Sequence, residues 1–467
     1  MRLATGKTEM KWASHSNCKH ARLLMSLGLW TAVIGVGFSS GCRSSQLVDP
    51  PVQRHALQYT PTLRMVHTYI NSNPADREQL DNQQMGRATR ENLKRLCDAG
   101  VNAVYFHGDS MVDPGVERSD PDVPWWRDQR VIARIEEGVG LCCELDLKVF
   151  FVPYFGSGVH HYPHVELDPS RDHTGQYSER EYRGRPAYVP SWFDPNYQDM
   201  IIERDRTLAR IVGKGLADGV LLEPEVYTDV GALSERGQLD YGDVAYERFF
   251  RDMRATEAGV RGHMAVPRDK RQAQLTRDGL LGNYAEWQMN DLRRFAARWA
   301  NALREEAPGI KLGFYQPGPW FSWSLRSLAQ GMYDRTYGPL LIMDASTYYA
   351  HPKQWVLGFD GSLADFEQFR QTVLSDWGVR AYVVNGLCPY LFDKENPERT
   401  AVWKQASEPD AIVRFLRESR QNGNGWWIWN ESRNPARIRK HIRQSESDAV
   451  KTAPGTLGIT EGTAADR

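Results

Sequence analysis

Residues 219 to 225 read GVLLEPE, an apolar run that ends in two glutamates separated by a proline. A short apolar run followed by polar residues is typical of a buried strand and the start of the loop after it. Seven other runs rich in β-branched and aromatic residues have the same form, so the sequence predicts eight strands. They span residues 63–69, 102–108, 148–155, 219–225, 311–317, 340–346, 380–386 and 425–431.

Amphipathic stretches with the period of a helix lie between the predicted strands. Examples are ENLKRLCDAG at 91–100, DLRRFAARWANALREEAPG at 291–309 and DAIVRFLRESRQNGNG at 410–425. Strands that alternate with helices form parallel sheets, and eight such units favour a closed barrel over an open doubly wound sheet. We therefore predict one (β/α)8 TIM barrel domain over residues 59–446, with long βα loops at 156–195 and 226–276. In such barrels these loops build the active-site face.

The composition is that of a globular protein and narrows the classes of function. The 467 residues include 58 Lys and Arg against 59 Asp and Glu, so the net charge of -1 gives no reason to expect nucleic acid as a partner. Six Cys are too few for a disulfide scaffold. The 15 Trp fit either a carbohydrate site or core packing, and composition alone leaves both open.

The first 41 residues have the features of an export signal. Five basic residues precede an uncharged apolar run from Leu23 to Phe38, and small residues at 39–41 precede Cys42. This pattern resembles a bacterial lipoprotein signal, which implies a lipid on Cys42; an ordinary secretory signal or an uncleaved anchor are the alternatives. We expect a polar linker at 42–58, a disordered tail at 447–467, and an exported protein held at the membrane of the cell envelope by its N-terminal lipid.

Two acids at the end of the fourth predicted strand are the main candidates for chemistry. Side chains alternate along a strand, so Leu221, Glu223 and Glu225 share one face and the two carboxylates point inward together. Their attachment points would be ~6–7 Å apart, close enough for one carboxylate to raise the proton affinity of the other. The alternative is a strand that stops at Leu222 and leaves two solvated acids on a loop.

The segment from Asp218 to Glu225 resembles the fourth-strand signature of chitinase-type glycoside hydrolases, in which a DG pair leads to the catalytic Glu. Three later segments resemble the hyaluronidase branch: LGFY at 312–315, DAST at 344–347 and WIW at 427–429. The resemblance implies that Glu225 is the general acid and that Glu223 orients the acetamido group of the substrate. It also implies contacts to that group from Tyr315 and Tyr348, and a floor under the sugar from Trp429.

The chain departs from the family pattern at three positions. The family has an acid where this chain has Leu221, an Asp where it has Glu223, and commonly a Trp where it has Pro224. These departures leave open a mechanism with a second protein carboxylate. It would lie about 5 Å from Glu225 in a retaining enzyme and about 6.5–9.5 Å away in an inverting one. Asp344 and Glu431 are the candidates.

Further polar and aromatic residues follow the predicted strands. His107 and Asp109 end the second strand and are candidates for substrate binding or for a turn, and Trp320 lies in a βα loop where it could stack on a sugar. The His-rich segment at 160–164 could hold a metal, although contact with substrate or solvent is the more usual role of such a loop. The sequence contains no Walker loop, no GxGxxG after a strand and no GxSxG elbow.

These features predict a glycoside hydrolase that cleaves an extracellular or cell-envelope polysaccharide or oligosaccharide without a cofactor or metal. The alternative is a barrel that binds glycans but does not cleave them.

Overall fold

Eight parallel strands close into a barrel in the computed structural model, which describes residues 62–68, 88–107, 123–153, 167–177, 179–182, 185–224, 238–316, 322–345, 363–387, 411–429 and 435–452. The strands are β1 (Leu63–His67), β2 (Ala103–His107), β3 (Lys148–Val152), β4 (Glu179–Tyr182), β5 (Arg185–Tyr188), β6 (Gly219–Leu222), β7 (Lys311–Gln316), β8 (Leu340–Asp344), β9 (Ala381–Leu387) and β10 (Gly425–Ile428). The order around the barrel is β1-β10-β9-β8-β7-β6-β3-β2, while β4 and β5 form a separate antiparallel hairpin.

Helices lie between the barrel strands. They are α1 (Arg90–Cys97), α2 (Gln129–Cys143), α3 (Pro195–Gly213), α4 (Asp243–Asp252), α5 (Glu257–Met264), α6 (Arg271–Arg277), α7 (Leu281–Glu306), α8 (Trp323–Met332), α9 (Leu363–Asp376), α10 (Ala411–Asn422) and α11 (Pro435–Thr452). Each predicted strand overlaps one barrel strand, so the predicted (β/α)8 TIM barrel is confirmed.

The barrel closes where β10 pairs with β1. Leu63 is the register partner of Gly425, which adopts a positive φ of 123°. A Cβ on Gly425 would lie 1.8 Å from the carbonyl oxygen of Leu63. Glycine is therefore required at this position both for the backbone conformation and for the close approach of the two strands.

The hydrophobic core has two layers separated by the barrel sheet. Alternate residues of each strand fill the barrel interior, for example Met65, Phe150 and Leu221. The residues between them, such as Val66 and Val220, pack against the surrounding helices. The apolar alternation therefore fixes which side chains at the strand ends face the interior and which face the helices.

The two long segments after β3 and β6 contain secondary structure of their own. The first includes the β4–β5 hairpin and the second includes α4, α5 and α6. They are joined at the fully buried Asp240, whose Oδ1 accepts from the backbone N–H of Arg171 at 2.9 Å and whose Oδ2 accepts from Ser191 Oγ at 2.7 Å. Its carbonyl oxygen accepts from Tyr284 Oη at 2.5 Å and from Gln288 Nε2 at 2.6 Å on α7.

The C-terminal helix α11 extends beyond the predicted end of the barrel domain. Ile438 and Ile442 are buried against the core, and the buried Ser445 donates from Oγ to the carbonyl of Ile442 at 2.7 Å. The helix ends at Thr452, so the first residues of the predicted disordered tail are helical. The sequence does not indicate this continuation, because the residues after Ser445 (ESDAVKT) are mostly polar and contain too few apolar residues for a helical period.

No helix within the described ranges is both long and apolar enough to cross a bilayer. The predicted signal, the linker and Cys42 precede residue 62 and lie outside the described residues.

Candidate functional site

The end of β6 places a carboxylate inside the barrel. Leu221 packs in the barrel interior, whereas Val220 and Leu222 pack on the helix side, so the alternation directs Glu223 inward. The Glu223 side chain is fully buried, with 0% of its surface exposed. A buried carboxylate is costly unless a cation or several hydrogen bonds compensate for the lost hydration.

The compensating group for Glu223 comes from β2. His107 is the last residue of that strand, on the interior side with Ala103 and Tyr105, and its Nε2 lies 2.9 Å from Glu223 Oε2. This distance is that of a charge-assisted hydrogen bond when the imidazole is protonated. The structure thus brings together two residues that the sequence predicted separately. The pair can hold a proton between a carboxylate and an imidazole, which is the chemistry of acid–base and hydrogen-bonding catalysis.

Aromatic rings surround this polar pair. Trp429, just after β10, meets His107 edge to face with ring centroids 4.8 Å apart, and Tyr315 of β7 lies 6.2 Å from His107 in a similar arrangement. Trp427 forms the next ring below, 5.6 Å from Tyr315. Aromatic faces beside a small number of polar groups are typical of a site for a sugar or another small molecule.

His67, which the sequence interpretation missed, completes the interior cluster. It ends β1, is buried, and stacks on Trp429 at 4.5 Å and on Tyr105 at 5.2 Å. Burial lowers the pKa of His67 well below its ordinary value, and the charge of nearby His107 lowers it further. The alternation of Leu63, Met65 and His67 in the β1 sequence is the signal that would have identified it as inward-facing.

The position of the Trp429 indole follows from three ring distances. His67 stacks parallel to it, and His107 lies 4.8 Å from it and 6.0 Å from His67. If His107 covered the opposite face of the indole, its separation from His67 would approach the sum of the two distances to Trp429. His107 therefore lies at the edge of the indole, and neither histidine covers the face opposite His67.

Asp344 is not part of this cluster. It follows Leu340 and Ile342 on the helix side of β8, whereas Leu341 and Met343 face the interior. Its carboxylate is fully buried and paired with Arg370 of α9. Arg370 therefore holds the Asp344 side chain on the helix side of the sheet, whereas Glu223 faces the barrel interior, and the role of Asp344 as nucleophile or base stays a prediction.

The other predicted site residues lie outside the described residues: Glu225, Asp109, Trp320, Tyr348 and Glu431, together with the lipidation site Cys42. The His-rich segment at 160–164 also lies outside them. Within the described ranges, no group of three or more His, Cys, Asp or Glu side chains is placed to hold a metal ion.

Comparisons with known proteins identify no sequence relative. No protein-family model matches the chain, and no curated protein sequence matches it. Among solved structures, the chain is similar to a glycoside hydrolase family 5 enzyme from Prevotella bryantii B14, with 10% identity, a TM-score of 0.43, and coverage of 82% of this chain and 96% of that one.

A family 113 β-1,4-mannanase matches with 11% identity, a TM-score of 0.39, and coverage of 82% of this chain and 97% of that one. A 2-naphthoyl-CoA reductase matches with 9% identity, a TM-score of 0.40, and coverage of 83% of this chain and 50% of that one. At these identities and TM-scores the similarities carry no argument about function, which is argued from the site.

Proposed function

We propose that the protein is a glycoside hydrolase that cleaves a polysaccharide or oligosaccharide at the carboxyl end of its barrel strands. The observation that supports this most directly is the buried pair of Glu223 and His107, which lies beside Trp429 and Tyr315. Carboxylates at the end of an interior strand supply proton transfer, and aromatic faces bind the apolar faces of sugars. In TIM barrel enzymes this end of the barrel holds the active site.

Glu225 acts as the general acid in this proposal. It follows Glu223 by two residues, and the sequence alternation assigns it to the same inward side. Glu223 is the assisting carboxylate. A negative charge two residues away on the same side of the strand would raise the proton affinity of Glu225, so that it holds a proton near neutral pH and can donate it to the glycosidic oxygen.

The remaining predicted residues would hold the sugar. Trp429 provides the floor through the indole face opposite His67, and Tyr315 with Tyr348 contacts the acetamido group. His107, Asp109 and Trp320 would contact other parts of the substrate. Of the two candidates for a second protein carboxylate, Glu431 is the one that the proposal retains, because Asp344 is paired with Arg370 on the helix side of the sheet.

A substrate screen with the full-length protein tests this proposal. The wild type and Glu225→Gln are assayed on N-acetylated and on neutral polysaccharides, for both turnover and binding. We expect wild-type turnover on at least one substrate, and a loss of about 10²-fold or more in Glu225→Gln with binding retained, since general acid catalysis contributes that much.

Glu257→Gln on α5 is the matched control. The Glu257 side chain is 66% exposed and pairs with Arg251, so its replacement should leave turnover unchanged. Binding without turnover by the wild type would reject the enzyme and favour the non-catalytic glycan-binding barrel. Turnover that survives Glu225→Gln would reject the role of that residue.

We also propose that the protein is anchored at the cell envelope. A lipid on Cys42 would hold the barrel at a membrane of the cell envelope, within reach of polysaccharides there. The support is the sequence pattern of a basic segment, an apolar run at 23–38 and small residues before the cysteine.

A further inference from the structure

The two members of the interior pair differ in accessibility. The Glu223 side chain has none of its surface exposed, whereas 12% of the His107 side chain is exposed. A group with no accessible surface cannot contact a ligand without a rearrangement of its neighbours. His107 is therefore the member of the pair that a bound sugar can reach.

The position of His107 beside Trp429 also indicates that a bound sugar can reach it. Its ring lies at the edge of the indole, 4.8 Å away and perpendicular to it. A sugar stacked on the indole face would present its substituents beyond the ring edge, on the side where His107 lies. The imidazole is thus placed to donate a hydrogen bond to a substituent oxygen of that sugar.

Three ionisable side chains described around His107 differ in how they can act on it. Glu223 is the acid beside it, with Oε2 2.9 Å from Nε2, and His67 of β1 and Tyr315 of β7 approach the ring as aromatic neighbours. His67 is buried between Tyr105 and Trp429, and burial lowers its pKa well below its ordinary value. Glu223 is therefore the neighbour placed to orient the imidazole.

We propose that His107 contacts the substrate and that Glu223 acts through it as a positioning residue. The buried carboxylate lies 2.9 Å from Nε2 and fixes the orientation of the imidazole. The oriented ring then forms a hydrogen bond with a polar substituent of the sugar, such as its acetamido group or a hydroxyl. This inference rests on the proposed function and deepens it, because it assigns the substrate contact to His107 rather than to Glu223. A carboxylate that orients a histidine in this way is a common element of catalytic sites.

Kinetics of three variants of the full-length protein test the coupling: Glu223→Gln, His107→Gln and the double variant. The assay uses the polysaccharide that the wild type cleaves, and soluble oligomers of N-acetylglucosamine as the binding probe. Each single variant should lose about 10²-fold in kcat/KM. The double variant should lose little more than either single variant, because both replacements disable the same contact. A double-variant loss equal to the product of the two single losses would overturn the inference, as would wild-type kcat/KM in His107→Gln.

Histidine NMR provides a measurement that needs no substrate. In protein labelled with ¹⁵N-histidine, the ring signals of His107 are assigned by their loss in His107→Gln. These signals should shift in Glu223→Gln, because the ring nitrogen loses its charged acceptor. His263→Gln is the matched control. His263 lies in α5 and stacks on Phe250 of α4 with ring centroids 3.6 Å apart, so its replacement should leave the His107 signals and the activity unchanged.

The two measurements separate the inference from the proposed function. His107 signals that do not respond to Glu223→Gln would overturn the inference even in an active enzyme. A wild type that neither cleaves nor binds any glycan, while its His107 signals shift in Glu223→Gln, would refute the proposed function and the substrate contact but would support the positioning of His107.

Discussion

Asp344 of β8 and Arg370 of α9 form an ion pair in which both side chains are fully buried. Arg370 also donates to Asn385 Oδ1 at 2.7 Å and pairs with Glu367, so its guanidinium joins two neighbouring barrel strands to the helix that packs outside them. Removal of Asp344 takes away one of the two carboxylates that compensate the buried guanidinium, and loss of such a partner costs more than the pair itself contributes.

We expect Asp344→Asn to lower the free energy of unfolding by about 3 kcal/mol, at the lower end of the range for broken buried pairs, because Glu367 and Asn385 still bind Arg370. Denaturant unfolding measures this change. The double variant Asp344→Asn with Arg370→Gln should lose less than the sum of the two single variants. Glu203→Gln, which removes an exposed partner of Arg127, should cost less than about 1 kcal/mol. An Asp344→Asn protein with native stability and no turnover would instead restore the catalytic role of Asp344.

Gly386→Ala should destabilise the barrel and displace Trp427. A Cβ at position 386 would lie 2.4 Å from the Trp427 ring and 2.7 Å from the Asp344 carbonyl oxygen. Neither neighbour can move easily, since one is a fully buried indole and the other is backbone, so we expect a loss of about 1–3 kcal/mol. Thermal unfolding and near-UV circular dichroism would detect the change. Gly140→Ala, in the last turn of α2 with open space around the new methyl group, should be neutral or stabilising by up to about 1 kcal/mol.

The pH dependence of stability should contain a contribution from Asp168. Burial raises the pKa of Asp168 to about 6, and the charges of Asp240 and Asp243 add to this, while a hydrogen bond from the Val244 backbone and the charge of Arg171 oppose it. The native state therefore binds more protons than the unfolded chain between about pH 4 and 6. Stability is lost as pH rises through this window.

Asp168→Asn removes that dependence and retains an oxygen that can accept from the Val244 N–H. The melting temperature of the variant, relative to the wild type, should therefore be higher at pH 7.5 than at pH 4.5. Scanning calorimetry at the two pH values measures this difference. A difference between variant and wild type that is the same at both pH values would contradict the assignment.

Cys42→Ala should release the protein from the membrane fraction. If Cys42 carries lipid, its replacement removes the anchor, and fractionation of cells followed by immunodetection would show the barrel in the soluble fraction. Retention of Cys42→Ala in the membrane would favour an uncleaved anchor through residues 23–38. Cys143→Ala provides the matched control and should stay with the membranes, since Cys143 is the last residue of α2 and its Sγ donates to the Leu216 carbonyl within the barrel domain.

The strands could be predicted from sequence because the barrel buries each of them on both faces. This produces short apolar runs, and those runs located all eight strands. The inward direction of Glu223 followed from the same alternation. The contact between Glu223 and His107 could not be predicted, because it depends on how far β2, β3 and β6 are staggered around the barrel.

Asp344 and His67 show what strand alternation reveals about a side chain and what it does not. Alternation from Leu341 and Met343 places Asp344 on the helix side, but its resemblance to a family segment outweighed that pattern. His67 ends the predicted first strand. Its alternation with Leu63 and Met65 indicates that it faces inward, but nothing in the sequence around it indicates that its ring stacks on Trp429. That contact arises from barrel closure, which brings the first and last strands together.

Asp240 connects three parts of the molecule. Its carboxylate accepts from Arg171 and Ser191 in the segment after β3, and its carbonyl oxygen accepts from Tyr284 and Gln288 of α7. Asp240 itself belongs to the segment after β6 and is fully buried, so the two long segments are held to each other and to α7 at one residue. A substitution at position 240 would therefore loosen both segments together, which makes them a single unit for mutation rather than two independent loops.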